Sequence, residues 1–170
     1  KPPRRICIST SVLKTMDEAD LRSGVGEMIK VHIIDSPEKF DEIAQNYDQI
    51  FTDETVMTHF IQQSLMIKKG LIEKDEFDSG VRNVMNYGHS FGHAIEAATG
   101  FAIPHGLAVT MGIDMANFVS MRLGQLESTD YDRMHPTIKR NWNGFEKVPV
   151  PIDKFLTAIS HDKKNKGTML

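Results

Sequence analysis

Three of the seven histidines in this chain lie close together in the segment 82–106. His89 and His93 are four residues apart, and the helix formers that follow them predict a helix over 86–99 with both rings on one face. Two imidazoles at this spacing can bind a divalent ion, although the glutamate found between them in metalloprotease helices is missing. Hydrogen bonds in a polar seam would account for an isolated pair, but His105 shortly afterwards favours a metal site. Spacing alone favours His89 and His93 as the ligand pair.

A second sign of chemistry is a pair of charges in a helix that is otherwise apolar. This helix is predicted to begin at Asp20, which caps it. Its apolar face comprises Leu21, Val25, Met28 and Ile29. Glu27 and Lys30 lie three residues apart within it. Charges seldom enter a protein interior unless they are paired or bound to a metal, so these two are either an exposed ion pair or part of a buried site.

A lysine continues the apolar stripe of another predicted helix, which is capped by Asp53 and runs to about residue 69. The inward stripe of this helix is expected to be Met57, Ile61 and Leu65. Lys68 is the next member of that stripe. Its ammonium either extends to water along the protein surface or reaches an anionic ligand.

The other elements follow from hydrophobic periodicity and turn signals. A short strand is expected over 5–9, a connector over 11–19 and an acidic loop over 72–80. Further helices are expected over 37–46, 106–123, 130–142 and 152–160, with an interruption or kink near Pro136. The inward face of the 106–123 helix is expected to comprise Ala108, Met111, Met115, Phe118 and Val119. The sequence therefore predicts a mainly α fold.

The composition is ordinary for a globular chain, because 170 residues that are 40% hydrophobic and 25% charged can form one substantial core. The net charge of -3 gives no electrostatic footprint for DNA, RNA or an acidic membrane surface. The single cysteine, Cys7, excludes an internal disulfide framework and fits a reducing compartment. With no signal peptide or membrane-spanning run in the sequence, we expect a cytoplasmic protein. Its first residue, Lys1, and the apolar residues at its end suggest part of a longer chain.

Four segments, in a fixed order, resemble the C-terminal, mostly helical domain of the 3-dehydroquinate synthases, which are sugar phosphate cyclases. They are LRSGVGEMIK at 21–30, DEFDSGVRNVMNYGHSFGHAIE at 75–96, HG at 105–106 and DKKNKG at 162–167. The resemblance implies one helical metal- and substrate-binding domain over 1–170. Its parts would be an interdomain segment at 1–19, core helices with the metal site at 20–124, and C-terminal helices with the DKK turn at 125–170. The N-terminal NAD-binding α/β domain of the family is absent from these residues.

The resemblance also assigns ligands for a divalent ion, usually zinc, with cobalt as the alternative. These are Glu27, His89 and His105, a set that replaces the pair favoured by spacing. Residues that match those holding the substrate's hydroxyls, carboxylate or phosphate are Lys30, Lys68, Arg82, Asn86, His93 and Lys164, with Lys163 as the less secure alternative to the last. A cation beside Glu27, and anionic or hydroxyl partners for Lys30 and Lys68, would explain why these charges occur in apolar helices.

For function, the resemblance implies cyclisation of 3-deoxy-arabino-heptulosonate 7-phosphate to 3-dehydroquinate with release of phosphate, using NAD, in the shikimate pathway of aromatic amino acid biosynthesis. The implied partners are a small phosphorylated keto acid or keto sugar, the N-terminal domain of the same protein and a second subunit in a homodimer. Fixed positive charge from Arg82 and the lysines suits a substrate that carries both a carboxylate and a phosphate.

Leu107 departs from the family pattern, which usually has a glutamate after the His-Gly pair. Asn86 and His93 agree with the dehydroquinate synthases, whereas deoxy-scyllo-inosose synthases tend to carry an acid at the first position and valiolone-forming cyclases lose the second histidine. A related cyclase with an altered pocket therefore stays open. So does a metal-dependent polyol dehydrogenase of the glycerol dehydrogenase type. The isolated chain could also be an inactive helical module, because no NAD site can be found in its sequence.

Overall fold

The computed structural model describes residue 5 and residues 7–77 and 80–161. Within these ranges the chain forms helices and no β-strand. The α-helices are α1 (Glu18–Asp35), α2 (Pro37–Gln45), α3 (Tyr47–Thr52), α4 (Glu54–Lys74), α5 (His89–Thr99), α6 (His105–Arg122), α7 (Ser128–Trp142) and α8 (Ile152–Ser160). Two 3₁₀ helices occupy Thr10–Thr15 and Val81–Asn86. The predicted mainly α fold is confirmed.

The strand predicted over 5–9 is wrong, since the described residues there have no regular structure. A short strand is unstable without neighbouring strands, and the described part of the chain offers none. The connector predicted over 11–19 contains most of the first 3₁₀ helix and the start of α1. Asp17, not Asp20, caps α1, because its side chain accepts a hydrogen bond from the backbone N–H of Asp20.

Asp53 caps α4 as predicted, accepting hydrogen bonds from the N–H groups of Thr55 and Val56. The helix then continues to Lys74, so the predicted acidic loop begins later than expected. A separate helix, α3, lies between α2 and α4 and was not predicted. Leu65, expected to face inward on α4, is 44% exposed, and Ser64 is buried instead.

The helix predicted over 86–99 begins only at His89, because Gly88 adopts a left-handed conformation with φ of 75°. Such a backbone ends one helical segment and begins another, and glycine adopts it without steric cost. A Cβ at Gly88 would also overlap Ile113 of α6. The close packing of α5 on α6 therefore depends on this glycine.

Helix α6 is the central element of the fold and packs against α1, α5 and α7. Its Val109 and Ile113 join the larger apolar cluster, which contains residues from α1, α2, α3, α4 and α7. Its Leu107 and Ala108 join a second cluster with α5 and Phe155 of α8. The sequence interpretation of α6 as a helix with one inward face was therefore wrong. The outer members of the predicted face, Met115, Phe118 and Val119, are each more than a third exposed.

Helix α7 is one continuous element with Pro136 inside it, so the chain is not interrupted there. Helix α8 has the predicted bounds and begins directly after Pro151. None of the described helices is long and apolar enough to cross a membrane.

Candidate metal centre

The backbones of α1 and α6 are in direct contact where the two helices cross. A Cβ on Gly106 would overlap the carbonyl of Ser23, and a Cβ on Gly26 would overlap the carbonyl of Gly106. The Gly106 N–H donates to the Ser23 hydroxyl at 2.8 Å, which supplies a capping bond that the N-cap residue of α6 does not make. Glu27 follows Gly26 and His105 precedes Gly106, so the crossing brings a carboxylate and an imidazole together.

A tight reversal between α5 and α6 brings His105 back beside α5. Gly100 and Phe101 both have left-handed backbones, with φ of 62° and 63°. The Phe101 N–H donates to the Glu96 carbonyl at 2.8 Å, which closes the end of α5. Helix α6 then begins at His105, four residues after Phe101. Histidines on two different helices thereby face one carboxylate on a third.

Glu27, His89 and His105 form a group whose ligand atoms all lie within 4.8 Å of one another. The Glu27 Oε1 atom is 3.8 Å from the Nε2 atom of His89 and 3.7 Å from the Nε2 atom of His105. A tetrahedral zinc ion with bonds of about 2.1 Å separates its ligand atoms by about 3.4 Å. Movements of a few tenths of an ångström would bring Glu27 to that distance from each histidine, and one carboxylate with two imidazoles is a donor set that zinc accepts.

Each of these two histidines has a hydrogen-bond acceptor behind its ring. The Nδ1 atom of His89 lies 3.2 Å from the carbonyl of Tyr87. The Nδ1 atom of His105 lies 3.2 Å from both carboxylate oxygens of Glu96. A proton on Nδ1 would satisfy either acceptor and leave the Nε2 lone pair directed at the cluster, as in metal-ligating histidines.

The Glu27 carboxylate also faces two lysines. Nζ of Lys30 donates to Oε2 at 3.0 Å and to Oε1 at 3.3 Å, and Nζ of Lys68 is 4.0 Å from Oε2. Burial opposes ionisation of Glu27, but the charge and hydrogen bond of Lys30, with His89 and Lys68, outweigh it and lower the pKa of the carboxyl group. The group is therefore a carboxylate at neutral pH, which is the form that binds a cation.

Burial, together with the nearby Lys30 ammonium, lowers the pKa of His89 to about 4, against the opposing effects of Tyr87 and Glu27. A neutral imidazole is the form that coordinates a metal. His89 therefore needs no deprotonation at neutral pH before it can bind an ion.

His93 lies at the edge of the cluster and is exposed. Its ring centroid is 5.2 Å from that of His89 and 5.8 Å from that of His105. Among the described residues, no group of three potential ligands contains both His89 and His93, so the pair favoured by spacing is not the one the fold assembles. His93 instead falls in a second group with Glu96 and His105.

The remaining predicted site residues do not all meet at the cluster. The Arg82 guanidinium donates to the carbonyl of Glu76 at 3.4 Å. Asn86 lines a shallow groove with Ile33 and Ser90. Arg82 and Asn86 lie on the 3₁₀ helix Val81–Asn86, which packs against α1 and α4, the helices that carry Glu27 and Lys68. Lys163 and Lys164 lie outside the described residues.

Two residues of the site were not predicted from the sequence. Glu96 is seven residues after His89, which is two helical turns, so helical spacing could have placed both on one face. Ser23 left no signal, because its role depends on α6 lying across α1. Leu107, where the family pattern has a glutamate, is fully buried in the second apolar cluster. The departure therefore falls in the core of the protein.

The sequence of this chain is similar to those of known proteins. The family profile described as 3-dehydroquinate synthase C-terminal matches residues 24–165. A 3-dehydroquinate synthase from Dehalococcoides mccartyi is 36% identical over 164 residues, which is 95% of this chain and 45% of the relative. One from Acetivibrio thermocellus is 30% identical over 99% of this chain and 47% of the relative. The chain thus spans just under half the length of these curated relatives.

Among solved structures, a crystal structure of 2-deoxy-scyllo-inosose synthase superposes with a TM-score of 0.68. The match covers 90% of this chain and 43% of that chain at 20% sequence identity, so it concerns the fold. Because the family profile covers most of the chain, the chain belongs to the 3-dehydroquinate synthase family and corresponds to its C-terminal domain.

Proposed function

We propose that this chain is the metal- and substrate-binding part of a 3-dehydroquinate synthase. The whole enzyme would convert 3-deoxy-arabino-heptulosonate 7-phosphate to 3-dehydroquinate and phosphate with NAD and a divalent ion. Residues 1–170 would form one helical domain, with the ion held by the helices of 20–124. The observation that carries the proposal is the convergence of one carboxylate and two imidazoles from α1, α5 and α6.

Glu27, His89 and His105 would hold the ion, and the acceptors behind both rings fit that role. Zinc is the expected ion and cobalt the alternative. Three protein ligands leave coordination positions open, which is typical of catalytic rather than structural sites. When bound, the ion would act as a Lewis acid that lowers the pKa of a coordinated substrate hydroxyl.

The cationic residues would position the anionic substrate. Lys30 and Lys68 already face the Glu27 carboxylate, so their ammonium groups border the space next to the ion. Arg82 and Lys164 would add positive charge for the carboxylate and phosphate of the substrate. Asn86 and His93 would bind substrate hydroxyls. This chain would therefore contribute mainly fixed electrostatics and positioning.

The rest of the catalytic apparatus would come from elsewhere in the same protein. NAD would be bound by an N-terminal α/β domain, in keeping with relatives about twice as long as this chain. The whole protein would be a cytoplasmic homodimer. The choice of substrate within the sugar phosphate cyclases rests on Asn86 and His93, which match the dehydroquinate synthase pattern.

Zinc binding tests the proposed ligand set. Isothermal titration of the chain should give one high-affinity site, and the Glu27→Ala, His105→Ala double variant should lose it. A matched control is Glu42→Ala, His59→Ala, which removes another glutamate–histidine pair at 3.0 Å and should leave zinc binding unchanged. Circular dichroism would check that both variants fold. Equal affinity of the chain and the first double variant would exclude the assigned ligands.

A further inference from the structure

Glu96 is a buried carboxylate that the proposed ligand set does not use. Glu96 is 8% exposed, and it lies on α5 two turns after His89. Within the described ranges its one ion pair is with His105, whose Nδ1 atom is 3.2 Å from both carboxylate oxygens. No lysine or arginine of the described residues forms an ion pair with it.

A carboxylate removed from water needs a positively polarised partner, because an uncompensated buried charge destabilises the folded state. The imidazole of His105 is that partner. The reversal at Gly100 and Phe101 fixes the separation of Glu96 and His105, since it connects the end of α5 directly to the first residue of α6. The contact is thus built into the backbone path.

This contact determines which nitrogen of His105 is available. A proton on Nδ1 is shared with Glu96, so the Nε2 lone pair is left on the side that faces Glu27 at 3.7 Å. The negative charge behind the ring also makes the imidazole a better electron donor. His89 has only a neutral carbonyl in the same position.

A different reading of the same atoms is a second cation held by His93, Glu96 and His105. It would need the Nδ1 atom of His105 to bind one ion while its Nε2 atom binds another. An imidazole that donates its Nδ1 proton to Glu96 cannot do so. The symmetric contact of both Glu96 oxygens with Nδ1 favours the proton.

We infer that Glu96 is a positioning residue, which fixes the tautomer and orientation of His105 and thereby raises the affinity of the cluster for a divalent ion. The inference rests on the proposed function, because it assumes that His105 is a metal ligand. Glu96 would act on the bound ion through His105 and would not contact the ion itself.

Cobalt and zinc affinities of Glu96 variants test this role. Glu96→Gln keeps the shape and an acceptor oxygen but removes the charge, and it should weaken binding by about ten-fold. Glu96→Ala removes the acceptor as well and should weaken binding by up to about 100-fold. The matched control is Asp114→Asn. Asp114 lies on the same helix as His105, and it contacts the Nδ1 atom of another histidine, His135, at 2.7 Å. That variant should bind both ions like the parent chain.

The visible absorption of bound Co²⁺ gives a readout that general stability does not change. The bands should shift in Glu96→Gln and stay in place in Asp114→Asn, with one ion per chain in each. If Glu96→Ala does not fold by circular dichroism, the isosteric Glu96→Gln decides. Parent-like affinity and spectrum in Glu96→Gln would overturn the inference.

Three further outcomes can be distinguished. Binding of two ions per chain, reduced to one in His93→Ala, would overturn the inference in favour of the second cation site. Absence of metal binding in the parent chain, or its persistence in Glu27→Ala, His105→Ala, would instead remove the proposed function, and the inference with it. If metal binding depends on Glu27 and His105 but not on Glu96, the proposed function is retained and the inference about Glu96 is overturned.

Discussion

At the scale of single residues, Glu27 lies between imidazoles and ammonium groups. Oε1 faces the imidazoles of His89 and His105 and accepts a hydrogen bond from Lys30 at 3.3 Å, whereas Oε2 faces only the ammonium groups of Lys30 and Lys68 among the described residues. The lysines compensate the carboxylate without an ion, which keeps it charged inside the fold.

His89 gives a prediction about pH. Its pKa in the folded chain is about 4, because the ring is buried and lies near Lys30, against an ordinary value of 6.5. Between these values the unfolded chain binds a proton that the folded chain does not. The free energy of unfolding of the metal-free chain should therefore fall as pH falls from about 6.5 to about 4. Urea unfolding at several pH values measures this, and His89→Gln should reduce the slope.

Proton NMR provides the direct check of the same residue. The imidazole signals of His89, assigned by their loss in His89→Gln, should titrate near pH 4 in the metal-free chain. A midpoint above pH 6 would contradict the burial and charge effects on which the expectation depends.

At the scale of elements, the crossing of α1 and α6 is the contact that sets the site. Gly106→Ala places a methyl group against the Ser23 carbonyl, so the helices must separate. We expect a loss of about 3 kcal/mol in the free energy of unfolding, as for overpacked cores, together with loss of zinc binding. Urea unfolding and zinc titration measure the two effects.

Gly24→Ala is the matched control for this change. Gly24 is exposed on α1, the other helix of the crossing, and nothing lies within 4 Å of an added Cβ. Replacing it should stabilise the chain by about 1 kcal/mol through helix propensity and leave zinc binding unchanged. If the two alanine variants had the same stability and zinc affinity, the backbones of α1 and α6 would not be in close contact at Gly106.

The hydroxyl of Ser23 makes a milder test of the same contact. Ser23→Ala removes the capping bond to Gly106 and should destabilise the chain by about 1 kcal/mol. Without the cap, the first turn of α6 frays in the metal-free state, and zinc must order it again. Zinc binding should therefore weaken by up to about five-fold, since 1.4 kcal/mol corresponds to a factor of ten.

Ser36→Ala separates stability from metal affinity. Ser36 caps α2 by accepting a hydrogen bond from the Lys39 N–H at 3.2 Å. Its loss should cost a similar free energy of unfolding while zinc titration stays the same. An equal loss of zinc affinity in both serine variants would mean that stability alone explains the effect.

The elements were predictable where a local signal marks them. Asp53 indicates the start of α4, and Pro151 directly precedes the start of α8. The late start of α5 was missed because no local signal marks the left-handed backbone of Gly88, and Ile113, which excludes a side chain there, is distant in sequence. The inward face of α6 was misjudged for a similar reason. A helix packed on several sides has no single stripe from which its orientation could be predicted.

At the scale of the whole molecule, the site depends on contacts between helices. Spacing indicated His89 and His93, because residues on one helix are all that periodicity can relate. Glu27 and His105 come from other helices and meet only through the α1–α6 crossing and the reversal after α5. The family resemblance supplied these positions, and Glu96 and Ser23 emerged only from the fold.

The proposed division of labour gives a prediction about turnover. With zinc, NAD and 3-deoxy-arabino-heptulosonate 7-phosphate, this chain alone should release no phosphate, because the proposal assigns the NAD site to the N-terminal domain. The chain joined to the N-terminal half of the Dehalococcoides mccartyi relative should release it. A phosphate assay measures both.

The same fusion carrying Glu27→Ala and His105→Ala is the control and should be inactive. Oxidation of the substrate without phosphate release would indicate a polyol dehydrogenase. Turnover by the unfused chain would show that these residues contain the missing nucleotide site.

The position of the α1–α6 contact has a geometric consequence. Gly26 and Gly106 are the immediate sequence neighbours of Glu27 and His105, so the two ligands sit beside the pivot of the helix pair. A change in the angle between the helices would displace their distant ends, near Asp35 and Arg122, by much more than it would alter the spacing of carboxylate and imidazole. Sequence drift and loop insertions at those ends can therefore accumulate with little effect on the dimensions of the cavity for the ion.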